Sequence, residues 1–331
     1  MTCDFGIVIP HLDETRFLET CLRSILFQEG DATAHIHIQD GGSGAAASIV
    51  GKLQNQIDGE RFKLTYTQEP DKNAADAINK GMVSVDARMV SWLGSDDLLL
   101  PGCFRAITTL REKFPSISWL TGHPQVVSEK GVLLPVWDIA GPQRFPTGYS
   151  RDALRRGLHA SLENHGTIQQ EGTFWSQDLW SSVGGLNTDF SLAFDFDLWC
   201  RLADLENLFE LVTPLAAFRK RKGQASEDSQ KYMEEVAAIR SMRSTLSDAP
   251  LPKRRLERLD VLVPGNPTGE WKKYQLQFVV DYKTAKKKLT PFQEPLFFAA
   301  LLRGRASRVL AKNSALRRVA RVLARRTRSR G

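Results

Sequence analysis

The sequence has no run of the roughly 18–20 apolar residues that a membrane-crossing helix requires, so none is expected. Cysteine is scarce: Cys3, Cys21, Cys103 and Cys200 are scattered, without metal-ligand spacing. Such thiols point to buried positions in a reducing compartment. The first residues run straight into a strand-like segment, so no signal peptide is expected. Glycine-rich phosphate loops are missing too. Neither Gly-x-Gly-x-x-Gly nor a P-loop follows the first strand. A nucleotide held here would be read by carboxylates and a metal, not cradled by glycine backbone. Acid is missing from residues 303–331, which hold 11 Lys or Arg. The net charge of +7 is concentrated there, because the remaining residues count 34 basic against 38 acidic. That asymmetry points to an anionic partner for the tail.

What is present suits a large α/β body. The chain has 331 residues, 42% hydrophobic and 25% charged, enough for one large domain or two. Residues 5–10, 35–39, 64–67 and 89–93 read as short buried strands. Between them lie helical patterns: Phe17, Leu18, Cys21, Leu22, Ile25 and Leu26 in the first, residues 48–57 in the second, and 74–83 in the third. Asp13 or Thr15 is placed to cap the first helix. In the third, Ala77, Ile78 and Gly81 allow close packing. This alternation predicts a parallel sheet with right-handed crossovers.

Each strand then delivers acids to one sheet edge. Asp40 follows the second, Glu69 and Asp71 the third, and Asp96 and Asp97 the fourth. Open α/β sheets bind ligands at the carboxyl ends of their strands. Adjacent Asp96 and Asp97 repel each other, and a hard divalent cation relieves that repulsion. On the residues alone, the pair also reads as a turn and helix cap before Pro101.

In the second half, residues 118–122 read as a strand and 125–136 as a hairpin turning at 128–131. Residues 141–148 form a Gly/Pro-rich loop able to cover a site. Residues 168–175 (Ile-Gln-Gln-Glu-Gly-Thr-Phe-Trp) lead into a short helix ending at Gly184-Gly185. Phe194-Asp195-Phe196-Asp197-Leu198-Trp199 opens another, where the helix dipole favours a carboxylate. Asp195 there also reads as an N-cap. His123, His159 and His165 have no metal spacing and read as surface or structural residues.

Ile7-Val8-Ile9-Pro10, Cys21-Leu22-Arg23-Ser24-Ile25, Gln39-Asp40-Gly41-Gly42-Ser43, Glu69-Pro70-Asp71-Lys72, Asp76-Ala77-Ile78-Asn79-Lys80-Gly81 and Trp92-Leu93-Gly94-Ser95-Asp96-Asp97 stand in the order seen in family 2 glycosyltransferases. The chain resembles that family over residues 5–225. The resemblance implies a GT-A fold: a Rossmann-like, mostly parallel sheet flanked by helices, here with a C-terminal helical basic extension. It implies a nucleotide-sugar site of Pro10, Asp40, Glu69, Asp71, Lys72, Asp96, Gln170 and Glu171, with Asp40 on the base. Asp97 and Asp96 match the metal-holding motif, for Mn²⁺ or Mg²⁺. Asp195 lines up with the catalytic base, Asp197 being the fallback and Arg201 the orienting group. The chain departs from the family pattern at Gly94 (usually Asn or Asp), at Leu12-Asp13, at Ala45 and at Arg221, where a His is expected. Cationic side chains of the loop 218–226 could neutralise the departing diphosphate, or that loop is simply solvated.

These readings divide the chain into a transferase domain, 1–225, with a nucleotide half (1–115) and an acceptor half (116–225). A helical extension (226–290) and a basic amphipathic tail (291–331) follow. Phe292, Leu296, Phe297 and Phe298, then Val309, Leu316, Val319 and Val322 between arginines, suit an anionic membrane surface. A helix packed on the body or a nucleic-acid contact are the alternatives, and nucleic acid is not expected because base-stacking aromatics are absent from the arginine segment. The expected activity is metal-dependent, hexosyltransferase-like inverting transfer from a nucleoside diphosphate sugar to a glycan or lipid-linked acceptor in surface polysaccharide synthesis. The expected location is cytoplasmic, peripheral to the inner face of the plasma membrane. The competing reading is a non-catalytic nucleotide-sugar or nucleic-acid binder on the same fold. A nucleotidyltransferase would need a glycine-rich basic loop that Pro10-His11-Leu12-Asp13 does not supply.

Overall fold

The computed structural model describes residues 2–134, 151–160, 168–211 and 213–244, and as strands 254–264, 271–281 and 286–289. β1 (Cys3–His11), β2 (Ala34–Asp40), β3 (Phe62–Gln68) and β4 (Ala87–Trp92) lie parallel in the order β4-β1-β2-β3. The crossovers are α1 (Leu18–Leu26), α2 (Ala47–Gln54) and α3 (Ala74–Val83). β2 is buried along its whole length, as a central parallel strand covered on both faces must be. Helix α1 turns Leu18, Cys21, Leu22 and Ile25 inward, the i, i+3, i+4, i+7 stripe of an amphipathic helix. Gly81 lets α3 settle on β1, since a Cβ there would lie 2.5 Å from Val8 Cγ1.

After β5 (Leu98–Leu99), helix α4 (Cys103–Lys113) leads to β6 (Trp119–Thr121), and β7 (Val126–Ser128) turns into β8 (Leu133–Leu134) as a hairpin. α5 (Arg151–Arg155) and a single helical turn at Gln170–Gly172 precede β9 (Thr173–Ser176). Then come α6 (Gln177–Val183), α7 (Phe194–Leu205), β10 (Phe209–Leu211), β11 (Ala216–Lys220) and α8 (Ser229–Ser244). β9 runs antiparallel between β4 and β6. Its beginning, and the turn before it, therefore sit beside the end of β4. A second sheet orders β5-β11-β7-β8 and bridges Leu98–Leu99 to β11.

Five indoles knit the strands to α6 and α7. Trp175 lies 5.2 Å from Trp92, 5.9 Å from Trp180 and 5.7 Å from Trp199, while Trp119 stacks on Trp199 at 5.9 Å. Trp92 ends β4 and also meets Phe194 at 6.0 Å, so the acid turn after β4 and the start of α7 share one rigid aromatic wall. Cys21, Cys103 and Cys200 are buried and Cys3 is half-buried, all as free thiols.

Two expectations are corrected. Neither Asp13 nor Thr15 caps α1. Phe17 is its N-cap residue, without a side-chain bond, while Asp13 Oδ1 accepts from Ser43 N at 2.7 Å and ties down the glycine loop after β2. The segment 226–290 is not wholly helical. α8 ends at Ser244, and β12 (Arg254–Pro264), β13 (Trp271–Asp281) and β14 (Lys286–Leu289) extend the main sheet to ten strands, β12 pairing parallel with β10. Tyr274, Leu276, Phe278 and Val280 recur at every second position, the strand period. The expected loop at 141–148 and the tail 291–331 lie outside the described residues.

Candidate functional site

Parallel β1 to β4 bring their carboxyl ends to one edge, as the sequence predicted. Asp40 closes β2 and is fully buried. Its Oδ1 accepts from Gly42 N at 2.9 Å and faces His11 Nδ1 at 3.3 Å, while its Oδ2 accepts from Tyr66 Oη at 2.8 Å. Burial, and then the hydrogen bond to Asp40, push the Tyr66 phenol up to about 12, so it stays a donor. Asp71 closes over Gly41 so tightly that a Cβ there would stand 1.8 Å from Asp71 Oδ2. Burial and then Asp76 raise the Asp71 carboxyl.

The flanking residues are more exposed. Lys80 Nζ pairs with Glu69 Oε1 at 3.0 Å, and Lys72 Nζ reaches Asp189 Oδ1 at 3.3 Å. Pro10 is half-buried one residue from the end of β1. Sequence reasoning did not single out His11 or Tyr66. Their positions on β1 and β3, facing the end of β2, are set by strand register.

The second group surrounds the turn after β4. Asp97 is buried, and its Oδ1 accepts from Arg219 N at 2.7 Å. Burial first, then Glu171 and Asp96, raise its carboxyl well above the ordinary range, only partly countered by Arg219. Asp96 Oδ2 pairs with Arg221 Nε at 2.6 Å, and its carbonyl accepts from Arg219 Nε at 2.6 Å. Arg219 is itself buried and lies over the Phe17 ring at 4.7 Å. The basic stretch 218–226 is thus not merely solvated: Arg219 and Arg221 grip the acid turn. Only the place of Arg219 on β11, and of Arg221 just past its end, distinguishes them from an exposed basic run.

Glu171, in the turn before β9, is buried, and among the described residues its Oε2 has no hydrogen-bond partner. Burial pushes its carboxyl up to about 7, with Asp195 and Asp96 adding to the effect. Gln170 Nε2 donates to the Trp92 carbonyl and fixes that turn to β4. Asp195 is half-buried in the first turn of α7 and is not the N-cap, which is Ala193. Its Oδ1 accepts from Phe196 N at 2.6 Å. Burial pushes Asp195 up to about 7 as well, and Glu235 contributes in the same direction.

Asp197 is tied elsewhere, to Arg201 Nε at 2.7 Å, and Arg201 also donates to the Val183 carbonyl. Arg201 therefore orients Asp197 and not Asp195. His159 is buried and stacks on Phe196 at 4.1 Å, a structural position.

The acid turn has oxygens suited to a hard cation. Gly94 has no side chain, and a Cβ there would meet Asp97 Oδ2 at 2.5 Å and Asp96 Oδ1 at 3.1 Å. These two oxygens close on the same flank, while Arg219 N and Arg221 Nε occupy the opposite oxygen of each carboxylate. Among the described residues no group of three or more His, Cys, Asp or Glu is arranged for a metal. A Mg²⁺-like ion needs only one or two carboxylates and takes its other ligands from water and phosphates, so the donor set fits it.

Comparison with known proteins agrees with this architecture. The model of "Glycosyltransferase like family 2" matches residues 3–208. The uncharacterized protein MT1568 of Mycobacterium tuberculosis (strain CDC 1551 / Oshkosh) is 27% identical over 211 residues, 60% of this chain and 61% of that protein. The chain thus spans about three fifths of that relative's length. S. aureus TarS 1–349 in complex with UDP-GlcNAc superposes with a TM-score of 0.53 at 12% identity, covering 75% of this chain and 68% of that one. The mannosyltransferase PcManGT from Pyrobaculum calidifontis, in complex with GDP-Man and Mn²⁺, gives 0.53 at 15% identity, covering 76% and 66%. These likenesses establish the GT-A fold. Among the described residues no helix is long and apolar enough to cross a membrane.

Proposed function

This chain belongs to the glycosyltransferase-like family 2, and from that membership we propose that it is an inverting glycosyltransferase moving a sugar from a nucleoside diphosphate donor to an acceptor hydroxyl. The observation that carries the reading is the gathering of Asp96, Asp97, Glu171 and Asp195 where β4, the turn before β9 and the start of α7 meet. A binder has no use for a carboxylate poised near neutrality beside the acid turn, whereas a general base works best with such a proton affinity. Asp195 takes the acceptor proton as the hydroxyl oxygen attacks the anomeric carbon. Asp40, Asp71 and Pro10 line the nucleotide side. Arg219 holds the acid turn in shape, and Arg221 supplies positive charge next to it. A divalent cation held by Asp97 and Asp96 would neutralise charge gathering on the departing diphosphate.

The test is a panel of UDP-, GDP- and dTDP-sugars with Mn²⁺, Mg²⁺ or EDTA, scoring nucleoside diphosphate release. Metal-dependent release from one donor, lost in Asp97→Asn, is the expected result. No release and no metal-dependent binding of any donor would leave the non-catalytic binder standing. The acceptor side of the proposal is a lipid-linked glycan of surface polysaccharide synthesis, reached by residues 291–331 at an anionic inner-membrane surface. Truncation at 290 is expected to abolish sedimentation with anionic vesicles. Unchanged sedimentation would reject that part.

A further inference from the structure

We propose that Glu235, on α8, is the positioning residue for Asp195, holding the chain ahead of α7 by its carboxylate. The inference rests on the reading of Asp195 as the base. Ser191, Leu192 and Ala193 donate their backbone N–H groups to this one carboxylate at 3.0, 2.9 and 2.8 Å, and Ser191 Oγ donates at 2.8 Å. Three successive amides closing on one anion form a backbone nest, filled here from another helix. Ala193 has no side-chain cap to offer α7, and Glu235 instead fixes the three residues that lead into the helix. Asp195 stands two residues beyond the last of these amides.

The clamp has a firm base. Val236 and Ile239 pack with Phe190, Ala193, Phe196 and Cys200 in one apolar cluster. Arg243 donates to the Cys200 carbonyl at 2.9 Å, pairs with Asp204 at 2.6 Å, and donates to the Arg155 carbonyl at 2.8 Å. Arg240 donates to the Gly157 carbonyl at 2.6 Å. α8 therefore meets α7 near its start through Val236 and Ile239 and towards its end through Arg243. It begins beyond residue 208, where the family match ends. The clamp comes from this chain's own continuation of the fold.

Charge adds a second consequence. Among the described residues, the ionisable groups facing Asp195 are Glu171 from the turn before β9, and Tyr232 and Glu235 from α8. Burial alone would raise Glu235, but the amides of Ala193, Leu192 and Ser191 carry it below its ordinary value. It stays charged and opposes ionisation of Asp195.

The experiment uses full-length protein with Glu235→Gln, Glu235→Asp, Glu235→Ala and Asp195→Asn. Hydrogen exchange over 190–197 needs no ligand and is read first. Glu235→Ala is expected to speed it at least about tenfold, with residues 5–100 unchanged. Turnover of whichever panel donor is released is read next. kcat should fall roughly tenfold to a hundredfold, with donor KM unchanged, because misplacing the base costs rate and not binding. Glu235→Gln should move the acid limb of the rate profile to lower pH, and Glu235→Asp should recover part of the loss. Folding is checked by circular dichroism. If Glu235→Ala does not fold, the isosteric Gln variant carries the test. An inactive Asp195→Asn beside wild-type exchange and an unmoved pH profile in Glu235→Gln would overturn the Glu235 proposal alone. Full activity in Asp195→Asn would overturn the base assignment, and the catalytic role of Glu235 with it.

Discussion

Two carboxylates at the same sheet edge are treated in opposite ways. Asp40 is fully buried, yet both its oxygens are engaged, by Gly42 N and His11 on one side and by Tyr66 on the other. Glu171 is nearly as buried, but one of its oxygens has no partner among the described residues, and other acids face it. Asp195 accepts one amide and looks towards Glu171 and Glu235. A buried charge is tolerated when it is hydrogen-bonded and costly when it is not. The first corner is thus finished before any ligand arrives and suits recognition. The second gathers acids that face one another, where the proposed transfer would move a proton.

The largest expected effect breaks the second corner. Asp195→Asn keeps the size and the acceptor oxygen for Phe196 N but removes the proposed base. Transfer should drop about a thousandfold, within the range that general-base catalysis supplies, while nucleoside diphosphate binding measured by calorimetry stays the same. A comparable loss in binding would place Asp195 in recognition instead.

Next comes the first corner. Asp40→Ala strands the Tyr66 hydroxyl and the Gly42 amide in a buried site, and should cost about 2–4 kcal/mol of stability by urea denaturation. A smaller effect is expected at Gly41, where any Cβ must displace the Asp71 carboxylate. Gly41→Ala should weaken nucleotide binding roughly tenfold, or about 1.4 kcal/mol, with the fold intact. Unchanged affinity would mean that the close approach of Asp71 to the glycine loop serves only the loop's own shape.

The legibility of these corners in the sequence differs for a physical reason. β1 to β4 and α1 to α3 are local units whose periods and loop acids fall in one stretch, so strand ends, Asp40, Asp71, Asp96 and Asp97 could be found by reading forward. Contacts between distant segments leave no such trace. Nothing in the run around Arg219 distinguishes a residue buried against Asp96 and Asp97 from a solvated arginine, and Glu235 looks like any helical glutamate. The strands after α8 were hidden for another reason. Leu256, Leu259, Leu262 and Val263 follow a helical spacing, and pairing with β10 and β13 overrides it.

The smallest effect comes from reading Asp195→Asn for stability rather than for rate. The Asp195 carboxyl is held up to about 7, against an ordinary value of 3.8, chiefly by burial. A folded-state value above the unfolded one means that the folded protein holds the proton more tightly. The resulting stabilisation is complete below pH 4 and lost as pH rises through 7. Asparagine is neutral at every pH and imitates the protonated form. Below pH 4 the variant and wild-type melting temperatures should nearly coincide, whereas at pH 8 the variant should melt roughly 2–4 °C higher. Asp40→Asn offers the contrast, because its carboxylate is hydrogen-bonded on both oxygens and its loss should lower the melting temperature at pH 8. If Asp195→Asn also melts lower at pH 8, the carboxylate is satisfied in the folded protein, and the distinction between a completed corner and a strained one does not hold.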